Sequence, residues 1–471
     1  MEFKSANIIA LGSILGAGFG FLTIPIITWF FSQEDIGRFS IYQVTLNLGM
    51  ILITLDLNQA YVREYYEIDQ KEQLLKIALL PGSLIFVITI PLLILSNFSI
   101  SSLIFNINSR LMDFCIYLGI YVMFFINILA HVLRMHNFAW KFAFAQIVPK
   151  AGYLLFLGVM FYFFVDYNFE KLILINVFVL SLSLACLALF LKDDLHKALR
   201  AKLDIVKLKE MLRFSLPLII GTLSYWALVS IDRFFLKYES TYNELALYSV
   251  AAILASGVGV LVTVFSNLWH PIVYKWISEG IDKEKILLVN ECMVVVVCFL
   301  WSLIGVFAWS VVYIFPSVYS DTRFLVVSCV AMPLLYMLSE TTTVGIGLSR
   351  KTIYSMLASF LALIFNMVIN YLFVKEYGAK AATIASMSAF TLFLILRTEF
   401  SSLLWVSLPR WKMYFSIMLY YVITFFVVFE KFENVGVEIL AWIIAFILVL
   451  ILYSKRISQQ FKRFKLREVK C

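Results

Sequence analysis

Fourteen apolar stretches follow one another along this 471-residue chain, centred on residues 6–31, 40–60, 74–96, 111–133, 142–165, 171–191, 212–236, 245–269, 286–315, 324–347, 353–374, 381–405, 413–429 and 435–453. Each is close to the about 20 residues that carry a helix across a hydrocarbon core. Inside lipid every backbone N–H and C=O must be paired within the structure itself, so runs of this kind read as helices of a bundle. Composition agrees: 62% of residues are hydrophobic and 14% charged, against roughly 45–50% and about 25% in a soluble domain. A single soluble core has no room for that much apolar surface. The first stretch runs on to Phe31 behind Lys4. It is longer than the roughly 7–15 residues of a signal-peptide core and no small-residue cleavage site follows, so it is expected to remain as the first span.

The chain also repeats itself. Shifted by 209 positions, Gly12 falls on Gly221, Ser13 on Thr222, Ser32 on Thr241, Asp35 on Glu244, Phe39 on Tyr248, Ser40 on Ser249, Thr54 on Thr263 and Asn58 on Asn267. One ungapped offset over so many positions predicts two copies of a six-helix unit. The expected fold class is an all-α polytopic membrane protein of about 14 transmembrane helices. Two parallel six-helix repeats would surround a central cavity, with two extra C-terminal helices. The segments would be an N-terminal bundle at 1–191, a basic cytoplasmic linker at 192–211, a C-terminal bundle at 212–405, two extra helices at 406–453 and a basic cytoplasmic tail at 454–471.

Basic residues set the orientation. The N-terminus, the C-tail and the loops after even-numbered helices hold 27 Lys and Arg, and the opposite loops hold 9. The positive-inside bias then places both termini in the cytoplasm. It also accounts for the net charge of +8, so no nucleic-acid partner is expected. The linker alternates charged and apolar residues from Lys192 to Lys209. That pattern suits a helix on an anionic inner leaflet, and equally a solvated connector. The tail from Lys455 to Lys470 is expected to bind anionic membrane lipids.

Catalytic signatures are missing: there is no HExxH, no GxSxG, no Walker loop, and no outer loop beyond about fifteen residues. No metal or cofactor is expected, and the six cysteines lack a CxxC pair and read as inert thiols. Gly12, Gly16, Gly18 and Gly20 with Pro25 lie inside the first span, where small residues allow close helix approach and proline allows a bend. Ionisable residues inside spans need a reason. They are Asp56, His131, Arg134 and Lys150 in the first half, with Arg63 and Lys141 at helix ends. In the second half they are Asp232, Arg233, Glu291, Glu340 and Arg397, with Glu399 following. Snorkelling or a structural ion pair is the plain reading of each, Asp232–Arg233 being a candidate helix-end pair. His131 and Glu340 are separated by the repeat offset, as are Lys141 and Arg350.

The order of basic residues, Phe214-Ser215-Leu216-Pro217, an apolar helix, Asp232-Arg233, a polar loop and Leu247-Tyr248-Ser249-Val250-Ala251 resembles the seventh helix and following loop of Wzx-type O-antigen flippases. These belong to the multidrug/oligosaccharidyl-lipid/polysaccharide exporter superfamily. Phe21-Leu22 to Ile36-Gly37-Arg38-Phe39-Ser40 and Tyr61-Val62-Arg63-Glu64-Tyr65-Tyr66 are similar to that family too, and the resemblance covers most of residues 1–410. It implies a flippase that moves an undecaprenyl-pyrophosphate-linked oligosaccharide across the bacterial inner membrane by alternating access. The product would serve O-antigen or another surface polysaccharide, and a polysaccharide polymerase complex would be a further partner. Arg63, Arg134, Lys150 and Arg397 are then candidates for binding the substrate's anionic head group. Asp56, His131, Asp232, Arg233 and Glu340 are candidates for gating or proton coupling. Two alternatives stand beside this reading: a cation-coupled multidrug exporter of the same superfamily, and a membrane polysaccharide polymerase or glycosyltransferase.

Overall fold

Helix starts follow the caps that the sequence supplies. The structure is a computed structural model that describes the chain except residues 1–2, 96–97, 164–166, 281–282, 408, 433 and 469–471. In the order of the chain the long helices are α1 (Phe3–Phe30), α2 (Gln33–Thr54), α3 (Lys71–Leu95), α4 (Arg110–Met135), α5 (Ala139–Phe163), α6 (Phe169–Phe190), α7 (Ile205–Glu239), α8 (Tyr242–Ser278) and α9 (Lys283–Phe307). Helix α10 is built from Thr322–Cys329 and Ala331–Thr342, and is followed by Ile353–Leu404, Trp411–Val428 (α13) and Val435–Glu468 (α14). The 52-residue helix Ile353–Leu404 is two helices, because Gly378 has φ 53° and ψ −131°. Residues 353–377 form α11 and 379–404 form α12. Thirteen described helices are long and apolar enough to cross a membrane, and the break makes fourteen spans of them. The protein is an all-helical, multi-pass membrane protein. The tail prolongs α14, and its side chains from 455 onward lie outside the described residues.

The repeat is visible as a repeated hydrogen-bond pattern. Ser32 Oγ accepts the Asp35 N–H at 3.1 Å at the start of α2, and Thr241 Oγ1 accepts the Glu244 N–H at 3.2 Å at the start of α8. Each hydroxyl is an N-cap that satisfies an orphan donor of the first turn. The same acidic residues then reach a second helix. Asp35 Oδ1 accepts the Phe169 N–H at 3.3 Å, and Glu244 Oε2 accepts the Ala379 N–H at 2.8 Å. The acidic residue thus pins the N-terminus of the sixth helix in one copy and of the twelfth in the other.

The chain divides into two compact units, Met1–Ser230 and Ile231–Cys471. The division falls inside α7, because the first part of that helix is tied into the first unit: Thr222 bonds Asp56, and Lys207 bonds Glu64. Within the first unit α1 lies against α5. A Cβ on Gly12 would stand 2.5 Å from Ala143 Cβ, and one on Gly16 2.8 Å from the Gln146 carbonyl. In lipid no hydrophobic gain draws helices together, so such close packing supplies the attraction itself. Beyond α2 a short helix, Leu57–Glu64, buries Leu57, Ala60 and Tyr61 in a core that includes Leu74, Phe124 and Leu129. The linker forms a helix, Lys192–Arg200, held to α3: Lys76 Nζ donates to the carbonyls of Leu199 (3.0 Å) and Ala201 (2.7 Å). Leu199, Leu203, Ile205 and Val206 stay exposed beside its lysines.

In the second unit α10 is the most buried of the spans. The two extra helices pack on α9, where Gly305 lies under the Trp442 ring and Ser302 Oγ meets Tyr420 Oη at 2.5 Å. Of the cysteines, Cys115, Cys298 and Cys329 are buried, Cys186 is half-buried and Cys292 is exposed. Cys292 lies at an exposed position of α9.

Candidate functional site

The first unit gathers cations at one end. Arg63 closes the short helix, and its guanidinium lies 4.3 Å from the Phe214 ring centre. Its neighbour Glu64 is taken by Lys207 at 2.7 Å, and Arg63 Nε stands 3.8 Å from that carboxylate. More than half of the Arg63 side chain is open. Tyr65 and His136 have ring centres 5.9 Å apart, which brings the end of the short helix beside the end of α4 that carries Arg134. Arg134 is exposed and meets no carboxylate among the described residues. Lys150 lies midway along α5, its chain against Gly20, where a Cβ would be 3.5 Å from Lys150 Cδ. It too has no carboxylate partner among the described residues. His131 uses Nδ1 on the Asn127 carbonyl at 2.8 Å. Asp56, 6% exposed, accepts from Thr222 Oγ1 at 2.6 Å.

The second unit holds two buried networks. Asp232 is fully buried and accepts from Tyr248 Oη (2.8 Å), Asn370 Nδ2 (2.8 Å) and Ser386 Oγ (2.5 Å). Asn370 also bonds Asn366. Arg233 stacks over the Tyr248 ring at 5.4 Å, and no salt bridge joins it to Asp232 among the described residues. Three neutral donors meet on one carboxyl group, in a network built from α7, α8, α11 and α12. The second network joins two of the expected residues. Arg397 Nη1 donates to Glu340 Oε1 at 2.8 Å and to Ser339 Oγ at 2.6 Å. Phe393 and Tyr336 stack on the guanidinium at 5.0 and 5.6 Å. Glu340 therefore already has a cationic partner in its own unit. Nearby, hydroxyls of Thr341, Thr342, Thr398 and Ser401 line a small pocket closed by Trp405 and Arg410. Glu399 holds Arg410 through two 2.6 Å bonds.

The sequence did not single out Asn366, Asn370, Tyr248 and Ser386 around Asp232, or Thr222 beside Asp56. A signal existed: Asn366 and Asn370 are four apart in an otherwise apolar run, so they share a helix face. Within the second unit the repeat adds a contrast. At the Asp232, Tyr248, Asn370 and Ser386 positions the first copy has Thr23, Phe39, Phe161 and Val177. The network is absent from that copy, so the repeat fold does not require it. Among the described residues no three His, Cys, Asp or Glu come together as a metal site.

A family model described as polysaccharide biosynthesis protein matches residues 3–275. Over 293 residues the chain is 22% identical to Lsg locus putative protein 1 of Haemophilus influenzae, spanning 60% of this chain and 68% of that protein. Among solved structures the fold is similar to lipid II flippase MurJ in an inward closed conformation, with a TM-score of 0.64 at 15% identity over 97% of this chain and 100% of that one. It is also similar to an inward-facing multidrug resistance MATE family transporter of the MOP superfamily, with a TM-score of 0.59 at 16% identity over 83% and 95% of the two chains. At such identities the likeness is one of fold.

Proposed function

The chain belongs to the polysaccharide biosynthesis protein family, and from that premise we propose that it is a flippase for an undecaprenyl-pyrophosphate-linked oligosaccharide. It would act as a transporter and not as an enzyme, in a bacterial inner membrane, for O-antigen or another surface polysaccharide. The observation that carries the reading is the set of cations without carboxylate partners in the first unit. Arg134 and Lys150 meet none, and Arg63 is only loosely shared with a carboxylate that Lys207 already holds. In a membrane protein such charge needs a counter-ion, and a pyrophosphate head group supplies one that Arg can bind through paired N–H groups. MurJ is a lipid II flippase by name, and its fold supports transport of a lipid-linked substrate. With both termini cytoplasmic, the end carrying Arg63 and Arg134 faces the side on which such a substrate is loaded.

Arg397 takes a different place in this reading. Paired with Glu340 and packed between aromatic rings, it holds α12 to α10 and contributes to gating rather than to first contact with substrate. The MATE likeness also fits a cation-coupled multidrug exporter, but free Arg and Lys side chains are poorly matched to a cationic drug. The test is the triple variant Arg63→Ala, Arg134→Ala, Lys150→Ala. Surface polysaccharide should fall at unchanged protein level, and Arg–Lys exchanges should partly restore it. Normal polysaccharide in the triple variant contradicts the proposal.

A further inference from the structure

The linker turns one apolar set inward and leaves another bare. Leu191 and Ala198 are buried in the core beneath the linker helix, and Leu195 packs against it. Leu199 (77% exposed), Leu203, Ile205 and Val206 (69%) are left outside. Apolar residues gathered at the surface beside charged ones mark a face that meets another molecule or a membrane. Side-chain ties to the linker backbone set the level of this face. Gln73 Nε2 donates to the Lys202 carbonyl at 3.1 Å, and Lys76 Nζ to those of Leu199 and Ala201. Gln73 and Lys76 flank Leu74 and Leu75, where the apolar run of α3 begins. The linker therefore lies where α3 enters the membrane and not out in bulk water.

The first turns of α7 continue the face. Ile205, Val206, Lys209, Arg213, Leu216 and Ile220 recur three or four residues apart, so they share one side of the helix, and all are exposed. Another side, with Leu208, Met211, Leu212 and Ser215, turns inward. On the exposed side two cations are thus bracketed by apolar residues a turn away in each direction. That order suits a helix end in the lipid interface, where Lys and Arg stems lie along acyl chains while their heads reach phosphates. Length agrees. At 35 residues α7 is about 52 Å long, more than the about 40–45 Å of a whole bilayer. Beyond Pro217, residues 218–239 make about 33 Å, a match for the hydrocarbon core of about 30 Å. Residues 205–216 are left for the interface, and a proline at their end lets the helix bend there.

The charges at this end leave cations over. Glu64 and Glu210 are held by Lys207, Glu72 stands near Lys197, Asp194 stands beside His136, and Asp204 caps the start of α7. Arg200, Lys202, Lys209 and Arg213 are exposed and meet no carboxylate among the described residues, while Asp193 is open at the other end of the linker helix. We propose that Lys209 and Arg213, together with the bare face of Leu199, Leu203, Ile205 and Val206, form a docking surface for anionic phospholipids of the adjoining leaflet. Phospholipid is the occupant, because the face runs without interruption into the apolar side of the span and its cations sit at the level where phosphates lie. These cations are distinct from Arg63, Arg134 and Lys150. The surface holds the linker and the foot of α7 to the membrane whatever the transporter carries, so the inference does not rest on the flippase reading.

Native mass spectrometry of the full-length protein, equilibrated with equal amounts of phosphatidylglycerol and phosphatidylcholine, is the first arm. Wild type should retain phosphatidylglycerol in preference. The variant Lys209→Gln, Arg213→Gln should lower that preference at least threefold, and Arg350→Gln, Lys351→Gln, which removes equal charge from a loop of the second unit, should not. The mass of the retained lipid separates phosphatidylglycerol from a copurified pyrophosphate lipid. In the second arm Val206→Cys carries a bimane fluorophore, with Cys186, Cys292 and Cys471 changed to Ser. In phosphatidylglycerol nanodiscs its emission should be quenched by brominated acyl chains and shielded from iodide. Equal loss of preference in the two charge variants, or no loss in either, overturns the proposal. So does a fluorophore that iodide quenches and brominated chains do not, a result that would give the face to a soluble protein. No flipping is measured, so failure here leaves the flippase reading standing.

Discussion

At Gly378 two constraints coincide. Its φ of 53° is left-handed, and a Cβ there would stand 2.5 Å from Glu244 Oε2. Gly378→Ala is expected to lower stability by about 1–2 kcal/mol from backbone strain alone, and further through the clash. Glu244→Ala removes a cap, a change that costs about 1 kcal/mol. The double variant should cost less than the sum, because the alanine no longer meets the carboxylate. Thermal unfolding in detergent measures all three, and strict additivity would contradict the contact. At Asp232, alanine would strand the buried Tyr248 and Ser386 hydroxyls, each loss costing about 1–3 kcal/mol, and take one partner from Asn370, whereas Asp232→Asn keeps an acceptor and should be milder. Equal stability of Asp232→Ala and wild type would sink this account. The residue scale is also where the sequence was hardest to read. Asp232 and Arg233 are adjacent and suggest a pair, but the carboxylate's partners Asn370 and Ser386 lie 138 and 154 residues away. Contacts of that separation leave no local pattern. The caps at Ser32–Asp35 and Thr241–Glu244 did, because an N-cap bond spans three residues.

Among the elements, α1 offers a direct comparison. Gly12 abuts Ala143 on α5, while Gly18 has nothing within 4 Å. Gly12→Leu should overpack the contact and cost about 1–3 kcal/mol, and Gly18→Leu should change stability by no more than about 0.5 kcal/mol. Equal effects of the two would show that the glycines act through helix propensity and not through approach. Spans were legible because apolar length is written locally. Even the join of α11 and α12 was readable, from the polar and glycine-containing stretch Lys375 to Lys380. The break at Leu55–Asp56 was not, since its neighbours hold neither Gly nor Pro and the same register in the second copy stays helical. Tertiary packing of Leu57, Ala60 and Tyr61 overrides the local preference there.

For the whole molecule, the 209-residue offset and the fourteen spans were legible together, because a duplicated unit carries the same caps and apolar runs twice. The substrate was not, because residues that would meet it are scattered along many helices and leave no local pattern. Orientation is tested by fusions. A cytoplasmic reporter near residue 200 and a periplasmic reporter in the 237–244 loop should both be active, and reversed signals would contradict the charge-based topology. The central claim is that this chain moves a lipid-linked oligosaccharide from the inner to the outer leaflet. It is met most directly by a deletion strain in which the lipid-linked oligosaccharide is quantified and its exposure at the periplasmic face is probed with a membrane-impermeant label. The account predicts accumulation of the lipid-linked species inaccessible to the label, reversed by the wild-type gene and not by the Arg63, Arg134, Lys150 triple alanine variant. Full periplasmic labelling and normal surface polysaccharide in the deletion strain would contradict it.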